Sequence, residues 1–280
     1  MSAATATATL PARRQATGTF DALGTLTGRR FHLSARTPRE LFVPLLTPIM
    51  FALVIAPALK SALHTDAGYE SYVALGTIGL LIPLNTMFSG IGVIVDRENG
   101  ARRELLTAPV PRSLLVVANL AVALAITGLQ LAALTGAAVL RGVHFHPTAA
   151  GIGWSIGAAG LFAVGMYGAA EILAARVPRQ EEYIAAVPAI AIVPWFFAGS
   201  LFPITALPVG MTWFARFLPL THALALIRYG LLGDHGSGLH DIWGTGSTSA
   251  CAALSLGVVA AFATVFTAVS IRVFTRSAVT

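Results

Sequence analysis

The sequence predicts an all-α integral membrane protein, and three observations predict it. Only 11% of the 280 residues are charged while 56% are hydrophobic, less than half the charge of a soluble domain, which is about 25%. Charge-free runs cover 41–59, 71–95, 113–140, 142–170, 183–215 and 242–271, and a bilayer crossing needs about 20 mostly apolar residues. The 18 basic residues sort to alternate sides of the spans so defined, fourteen on one side and four on the other. That is the positive-inside pattern.

Taken in order, residues 1–18 are Ala/Thr-rich and lack the continuous apolar stretch of a secretory signal. They are expected to form a flexible cytosolic tail. Residues 19–40, "TFDALGTLTGRRFHLSARTPRE", mix Phe20, Leu23, Leu26, Phe31 and Leu33 with four arginines. An amphipathic helix along the inner leaflet, arginines toward lipid phosphates, accounts for this better than a solvated basic linker.

A membrane domain over 41–273 is then expected to hold six transmembrane helices, near 41–62, 71–95, 113–139, 149–172, 183–202 and 248–272, with 274–280 as a second cytosolic tail. Prolines 44, 48, 57, 188 and 194 should kink the first and fifth spans, which neighbouring helices tolerate by meeting the freed carbonyls. Six spans put both termini on one side. With the termini cytoplasmic, only Lys60, Arg141, Arg216 and Arg228 remain outside, so a multi-pass cell-membrane protein with this orientation is expected. In the outer segment 203–241, "FLPLTHALALI" (217–227) is too short to cross and too apolar for water. A re-entrant or interfacial helix with its ends buried in protein is the physically acceptable solution.

Net charge is +6 and the pI about 10.2. Topology accounts for the excess arginine, so no nucleic-acid partner is expected. Seventeen arginines to the single Lys60, with abundant Ala and Gly, suit the codon usage of a GC-rich, bacterial genome. Cys251, the one cysteine, lies in an apolar run and is expected to pack there.

Between the second and third expected spans, "DRENGARRELLTAPVPR" (96–112) crowds seven charges into seventeen positions. Asn99-Gly100 signals a turn, and Pro109 and Pro111 are stops. "ARRELLTA" can form about two helical turns, too few to be stable alone. Leu105 and Leu106 beside Arg102, Arg103 and Glu104 suit a docking surface in which apolar contact gives affinity and ion pairs fix register. The same residues also suit an ordinary solvated loop.

This stretch resembles the cytoplasmic loop of ABC-2 type export permeases, the membrane subunits of ATP-driven exporters that include the daunorubicin-resistance branch. Asp96, Arg97, Glu98, Gly100, Glu104, Leu105, Leu106, Pro109 and Arg112 occupy the family's positions, with Ala101 standing where the family often has Thr. A second block, "FAGSLFPITALPVGMTWFARFLPLTHALALIRYGLLGD" (197–234), is similar to the family's segment after the fifth span at Gly199, Pro203, Leu207-Pro208, Pro219, Arg228 and Gly233. The resemblance extends over about residues 20–275.

The resemblance implies a transport subunit, not an enzyme, whose coupling helix between spans two and three docks on a separate nucleotide-binding subunit. That partner would bind ATP and Mg, and a second permease, identical or homologous, would complete the path. It implies export of a hydrophobic or amphiphilic molecule, as in multidrug efflux or antibiotic resistance. Independently, a Walker A site needs Gly-x-x-x-x-Gly-Lys-Ser/Thr. The only lysine, Lys60, follows "APAL", so no such ATP site exists in this chain.

Asn85, Asn119 and Gln130 are polar residues within spans, open to lining a path or to interhelical hydrogen bonding. Glu171 ends an apolar run near the cytoplasmic face. Intramembrane acids are functional candidates, but snorkelling or pairing with Arg176 is the cheaper account. Gly153 and Gly157 form a GxxxG expected to allow close helix contact. His144 and His146 have no acid or thiol nearby in sequence, and no metal site is assigned to them. A membrane-embedded enzyme acting on lipid or polyprenyl substrates is the alternative function, but its carboxylates would be clustered, and here they are scattered among arginines. A secondary transporter would want paired intramembrane charges or inverted repeats, and neither is visible.

Overall fold

The computed structural model of the chain describes residues 19–35, 68–100, 111–140, 142–233, 236–244 and 246–276, with single positions between 46 and 58. Among them every regular element is helical. Apart from those single positions the first expected span, 41–62, lies outside the described residues, as do the tails at 1–18 and 277–280.

Four helical stretches are long and apolar enough to cross a membrane: Tyr69–Glu98, Ser113–Leu140, Ala149–Arg176 and Thr248–Phe274. They fall on the expected second, third, fourth and sixth spans. The first comprises α2 (Tyr69–Phe88) and α3 (Ile91–Glu98), the second lies in α4 (Arg112–Leu140), the third is α5 (Ala149–Arg176), and the last lies in α10 (Thr248–Arg276). Preceding them, α1 covers Thr19–Ala35. The expected fifth span is α6 (Gln180–Phe197), whose 18 residues begin with a first turn carrying Glu181 and Glu182. Its apolar part alone is therefore shorter than the roughly 20 residues of a full crossing. At the C-terminal end α10 continues to Arg276, past the expected boundary at 273.

The central helix is α2. Every residue from Val73 to Met87 is buried, which matches a sequence apolar on all sides. Its continuation into α3 is interrupted at Ser89-Gly90, a break that the proline pattern does not predict. A Cβ at Gly90 would collide with the Tyr183 hydroxyl, and that hydroxyl donates to the Met87 carbonyl at 2.6 Å. The Ser89 carbonyl is met by Arg30 Nη2 of α1 at 3.2 Å.

Around α2, α5 is the hub, packing on α10, α8 (Pro219–Leu232), α2 and α4. Its N-terminus is capped by Thr148, whose hydroxyl accepts from Gly151 N at 3.0 Å, as expected for a threonine cap. Close approach uses Gly151 against Gly230 of α8, where a side chain on either would meet the other's carbonyl. The Ser155 hydroxyl is shared between the carbonyls of Gly151 and Ile227, at 3.0 and 3.3 Å. Gly165 and Gly168 similarly admit Phe262 and Phe266 of α10. This corrects the expected GxxxG: Gly153 faces open space and Gly157 meets only a Leu256 methyl at 3.9 Å. Residues two apart on a helix point about 200° apart, so Gly151 and Gly153 cannot serve one face.

The segment after α6 folds as α7 (Val209–Phe217), α8 and the short α9 (Ser237–Trp243). Pro208 precedes α7, Pro219 starts α8, and Gly233 ends it at φ +62°, a left-handed conformation suited to glycine. Nearly all of α8 from Leu220 to Gly230 is buried, whereas Val209, Trp213, Phe214 and Phe217 of α7 are exposed. His222 ties the hairpin together: its two ring nitrogens lie 2.9 Å from the Arg216 carbonyl and 3.2 Å from Ser255 Oγ. Trp243 Nε1 donates to the same serine at 2.8 Å. Cys251 is buried, as expected.

The glycine geometry makes a direct prediction. Gly230→Leu should destabilise the detergent-solubilised protein by about 1–3 kcal/mol, the usual cost of overpacking, while Gly153→Leu leaves its melting temperature unchanged. Thermal unfolding of the two variants side by side checks this.

Candidate functional site

Two places gather the residues that the sequence singles out. The first is the root of the charged segment. The final turn of α3 presents Asp96, Arg97 and Glu98, and Asn99 caps it. Gly100 turns the chain at φ +74°, so the turn expected at Asn99-Gly100 is present. Arg102, Arg103, Glu104, Leu105, Leu106 and Pro109 lie outside the described residues. Arg112 begins α4.

Asp96 reaches toward α1. Its two oxygens lie 3.4 Å from Arg29 Nη2 and 3.7 Å from Arg30 Nη1. Arg30 passes over Gly92, where a Cβ would collide with its guanidinium. Arg97 reaches the other way, to the end of α5. Its Nη1 donates to the Ala174 carbonyl at 2.9 Å, and its Nη2 to Val177 and Pro178 at 2.8 and 2.9 Å. These are the orphan carbonyls of a helix terminus, and a guanidinium with five donors in a fixed fork can meet several at once. Glu98 is exposed.

Above this root lies a buried polar cluster that joins two of the expected candidates. Tyr167 donates to Glu171 one turn along α5, and the Asn119 side chain of α4 hydrogen-bonds the same tyrosine. Arg30 is close enough to act electrostatically on Tyr167. Glu171 is only 4% exposed. It does not snorkel, because Tyr167 and Asn119 supply a polar setting inside the bundle. Asn85 on α2 and Gln130 on α4 are buried elsewhere; Asn85 Nδ2 makes no hydrogen bond among the described residues.

The second place is built on Arg228, 4% exposed. Its guanidinium donates to the carbonyls of Gly199, Ser200 and Tyr72 at 2.7, 3.0 and 3.3 Å and lies 3.5 Å above the Tyr72 ring centre. The Tyr72 hydroxyl also donates to Gly199 O, at 2.8 Å, and Trp195 Nε1 donates to Gly76 O at 2.7 Å. Gly199 holds φ +77°. Thus α2, the turn after α6 and α8 are joined by one arginine. Pro203 sits at the start of the 3-10 turn Ile204–Ala206, and Pro208, Pro219 and Gly233 serve as helix punctuation rather than as a lining.

Sequence reasoning missed Arg29 and Arg30 as partners of Asp96, 67 and 66 residues away, and Tyr167, Tyr183 and Tyr72 as carbonyl or carboxylate donors. One signal existed. "SGIG" at 89–92 is a cluster of small residues in an otherwise bulky run, and both Arg30 and Tyr183 lie against it.

A helical bundle with four apolar crossings and a charged, cross-braced loop root defines a polytopic membrane protein of the transport-permease kind. The ABC-2 type transporter family model matches residues 21–232, from α1 through α8. The chain belongs to the ABC-2 type transporter family and is thereby the membrane-permease side of an ABC transporter. No curated protein matches its sequence.

Reversing Asp96's charge, which sets a cation against Arg29 and Arg30, should free α1. Asp96→Arg is expected to accelerate tryptic cleavage within Thr19–Ala35 several-fold in detergent, whereas Glu98→Gln leaves the rate unchanged. At the opposite site, Arg228→Ala strands buried carbonyls at about 1–3 kcal/mol. Arg228→Lys should recover only part of that loss, because an ammonium lacks the fork; melting temperatures read both.

Proposed function

We propose that this chain is the permease subunit of an ATP-driven exporter, coupled through its 96–112 loop to a separate nucleotide-binding subunit. Six spans, counting 41–62 and α6, place both termini in the cytoplasm, with α1 along the inner leaflet and α7–α8 as a re-entrant hairpin on the outer side. A second permease, identical or homologous, completes the path. The cargo is a hydrophobic or amphiphilic molecule (a drug, antibiotic or lipid-like compound) carried outward across the cell membrane.

The observation that carries this reading is the bracing of the loop root. Asp96 is paired with α1 and Arg97 is hydrogen-bonded to the end of α5. A force delivered to the loop is passed to both at once. A loop serving only as a connection needs no such fastening. ATP and Mg belong to the partner, since the sequence holds no Walker A lysine.

The test is co-purification with the candidate ATPase. Glu98→Arg combined with Glu104→Arg should abolish the complex on size exclusion and lower export at least about tenfold, a loss of coupling of some 1.4 kcal/mol or more. The partner's own basal ATP hydrolysis should persist. Unchanged assembly and export would defeat the coupling assignment.

A further inference from the structure

A cavity that nothing above employs lies halfway along the bundle. Its volume is about 210 Å³, and no nitrogen or oxygen opens onto it. Pro83 of α2, Met166 of α5, Pro194 of α6, Pro219 of α8 and Phe262 of α10 all line it. Pro83 and Phe262 fall midway along the apolar stretches Tyr69–Glu98 and Thr248–Phe274, a depth at which a crossing helix meets hydrocarbon. Phe162, Ala191 and Leu220 form a buried floor, while Ile190 at the edge is 38% exposed. The cavity therefore opens on the flank of the bundle, toward lipid rather than water.

Its lining is stiff and partly aromatic. Three prolines come from three different helices, and a proline ring has neither a long side chain to swing into the gap nor an N–H to offer a ligand. The aromatic part is continuous. Phe162 and Phe262 stack with ring centres 6.0 Å apart and planes 25° apart, and Phe266 follows Phe262 at 4.5 Å. Phe262 is seated at Gly165, where a Cβ would lie 2.4 Å from its ring, so the ring is positioned by the backbone of α5. The Met166 thioether beside these rings also favours an aromatic neighbour.

We propose that this cavity binds a small, flat, neutral aromatic hydrocarbon taken up from the bilayer, its rings against Phe162, Phe262 and Phe266. The volume exceeds the roughly 150 Å³ of an engineered apolar cavity that takes up benzene, which leaves space for a second fused ring. A polar head would find no partner here and would forfeit its hydrogen bonds, which sets this ligand apart from the amphiphilic cargo proposed above. The chain of a membrane lipid is the competitor. It fills space equally well but forgoes the ring–ring geometry that favours an aromatic guest. The site belongs to a single permease and does not depend on the exporter reading.

The full-length permease in phosphatidylcholine nanodiscs, without ATPase, is dialysed to equilibrium against naphthalene or its saturated counterpart decalin, subtracting uptake by empty nanodiscs. Naphthalene should show saturable binding about fivefold tighter than decalin. Phe262→Leu, or Phe266→Leu should that variant misfold, should bring the two within about twofold of each other. Phe217→Leu, on the exposed side of α7, should leave the preference intact. Ala169→Phe should abolish the saturable binding while the size-exclusion profile is kept, and Ile190→Trp at the exposed edge provides a second obstruction. No saturable uptake, or equal affinity for the two hydrocarbons as a slot held by lipid chains would give, would overturn the assignment. So would an undiminished preference in the Phe262 and Phe266 variants, a preference lost in Phe217→Leu, or unaltered binding in both obstructed variants. The coupling reading keeps its own co-purification test in every case.

Discussion

A helix that ends or breaks inside hydrocarbon exposes carbonyls that water cannot reach, and each left unmet costs several kcal/mol. The architecture here turns on how those carbonyls are met. At the α2–α3 break, Arg30 donates to Ser89 and Tyr183 to Met87. At the partly exposed end of α5, Arg97 takes the carbonyls of Ala174 and Val177 and that of Pro178 just beyond the helix. After α6, Arg228 and Tyr72 share Gly199. Each donor comes from a helix other than the one that it completes. Satisfying the backbone and joining the bundle are thus the same act, and the interruptions in α2–α3 and after α6 become points of attachment.

This assigns a second duty to arginine. In the sequence, the distribution of the arginines sets the expected orientation. Three of them also supply forked donors at helix termini, where a lysine would offer a flexible point charge and fewer simultaneous bonds. Arg228 shows the difference most plainly. Three carbonyls and an aromatic face lie against it, so its guanidinium is met inside the bundle rather than left to reach water.

Much of the fold was legible because hydrocarbon imposes a length. The charge-free runs at 71–95, 113–140, 142–170 and 242–271 became α2–α3, α4, α5 and α10, with ends shifted by a few residues. The apolar stretch 217–227 is shorter than a crossing, and α8, which covers most of it, is buried by its neighbours. Facing was not legible. Gly151 and Gly153 look alike in a sequence, and only the position of α8 decides that Gly151 carries the contact. Long-range polar pairing was equally hidden: Asp96 is marked as charged, but nothing local names Arg29 and Arg30. Glu171 was weighed against Arg176, its neighbour in sequence, while its hydroxyl donor was Tyr167 on its own helix face. Leu105 and Leu106 lie outside the described residues.

The adjacency of Asp96 and Arg97 has a mechanical consequence. Successive residues on a helix point about 100° apart, and here one binds α1 while the next binds the end of α5. Rotating α3 about its own axis cannot relieve one contact without straining the other. A displacement of α3 therefore bears on its contacts to both α1 and α5. The tightened turn at Ser89-Gly90 marks where the fully buried α2 gives way to α3. On the α5 side, α8 and α10 follow through the glycine contacts: Gly151 and Gly168 bring backbone against backbone, and Gly165 seats the Phe262 ring. For the proposed exporter, a push at the loop would reach the outer hairpin through α5, while α2, pinned to α8 by Arg228, sets the limit of that travel.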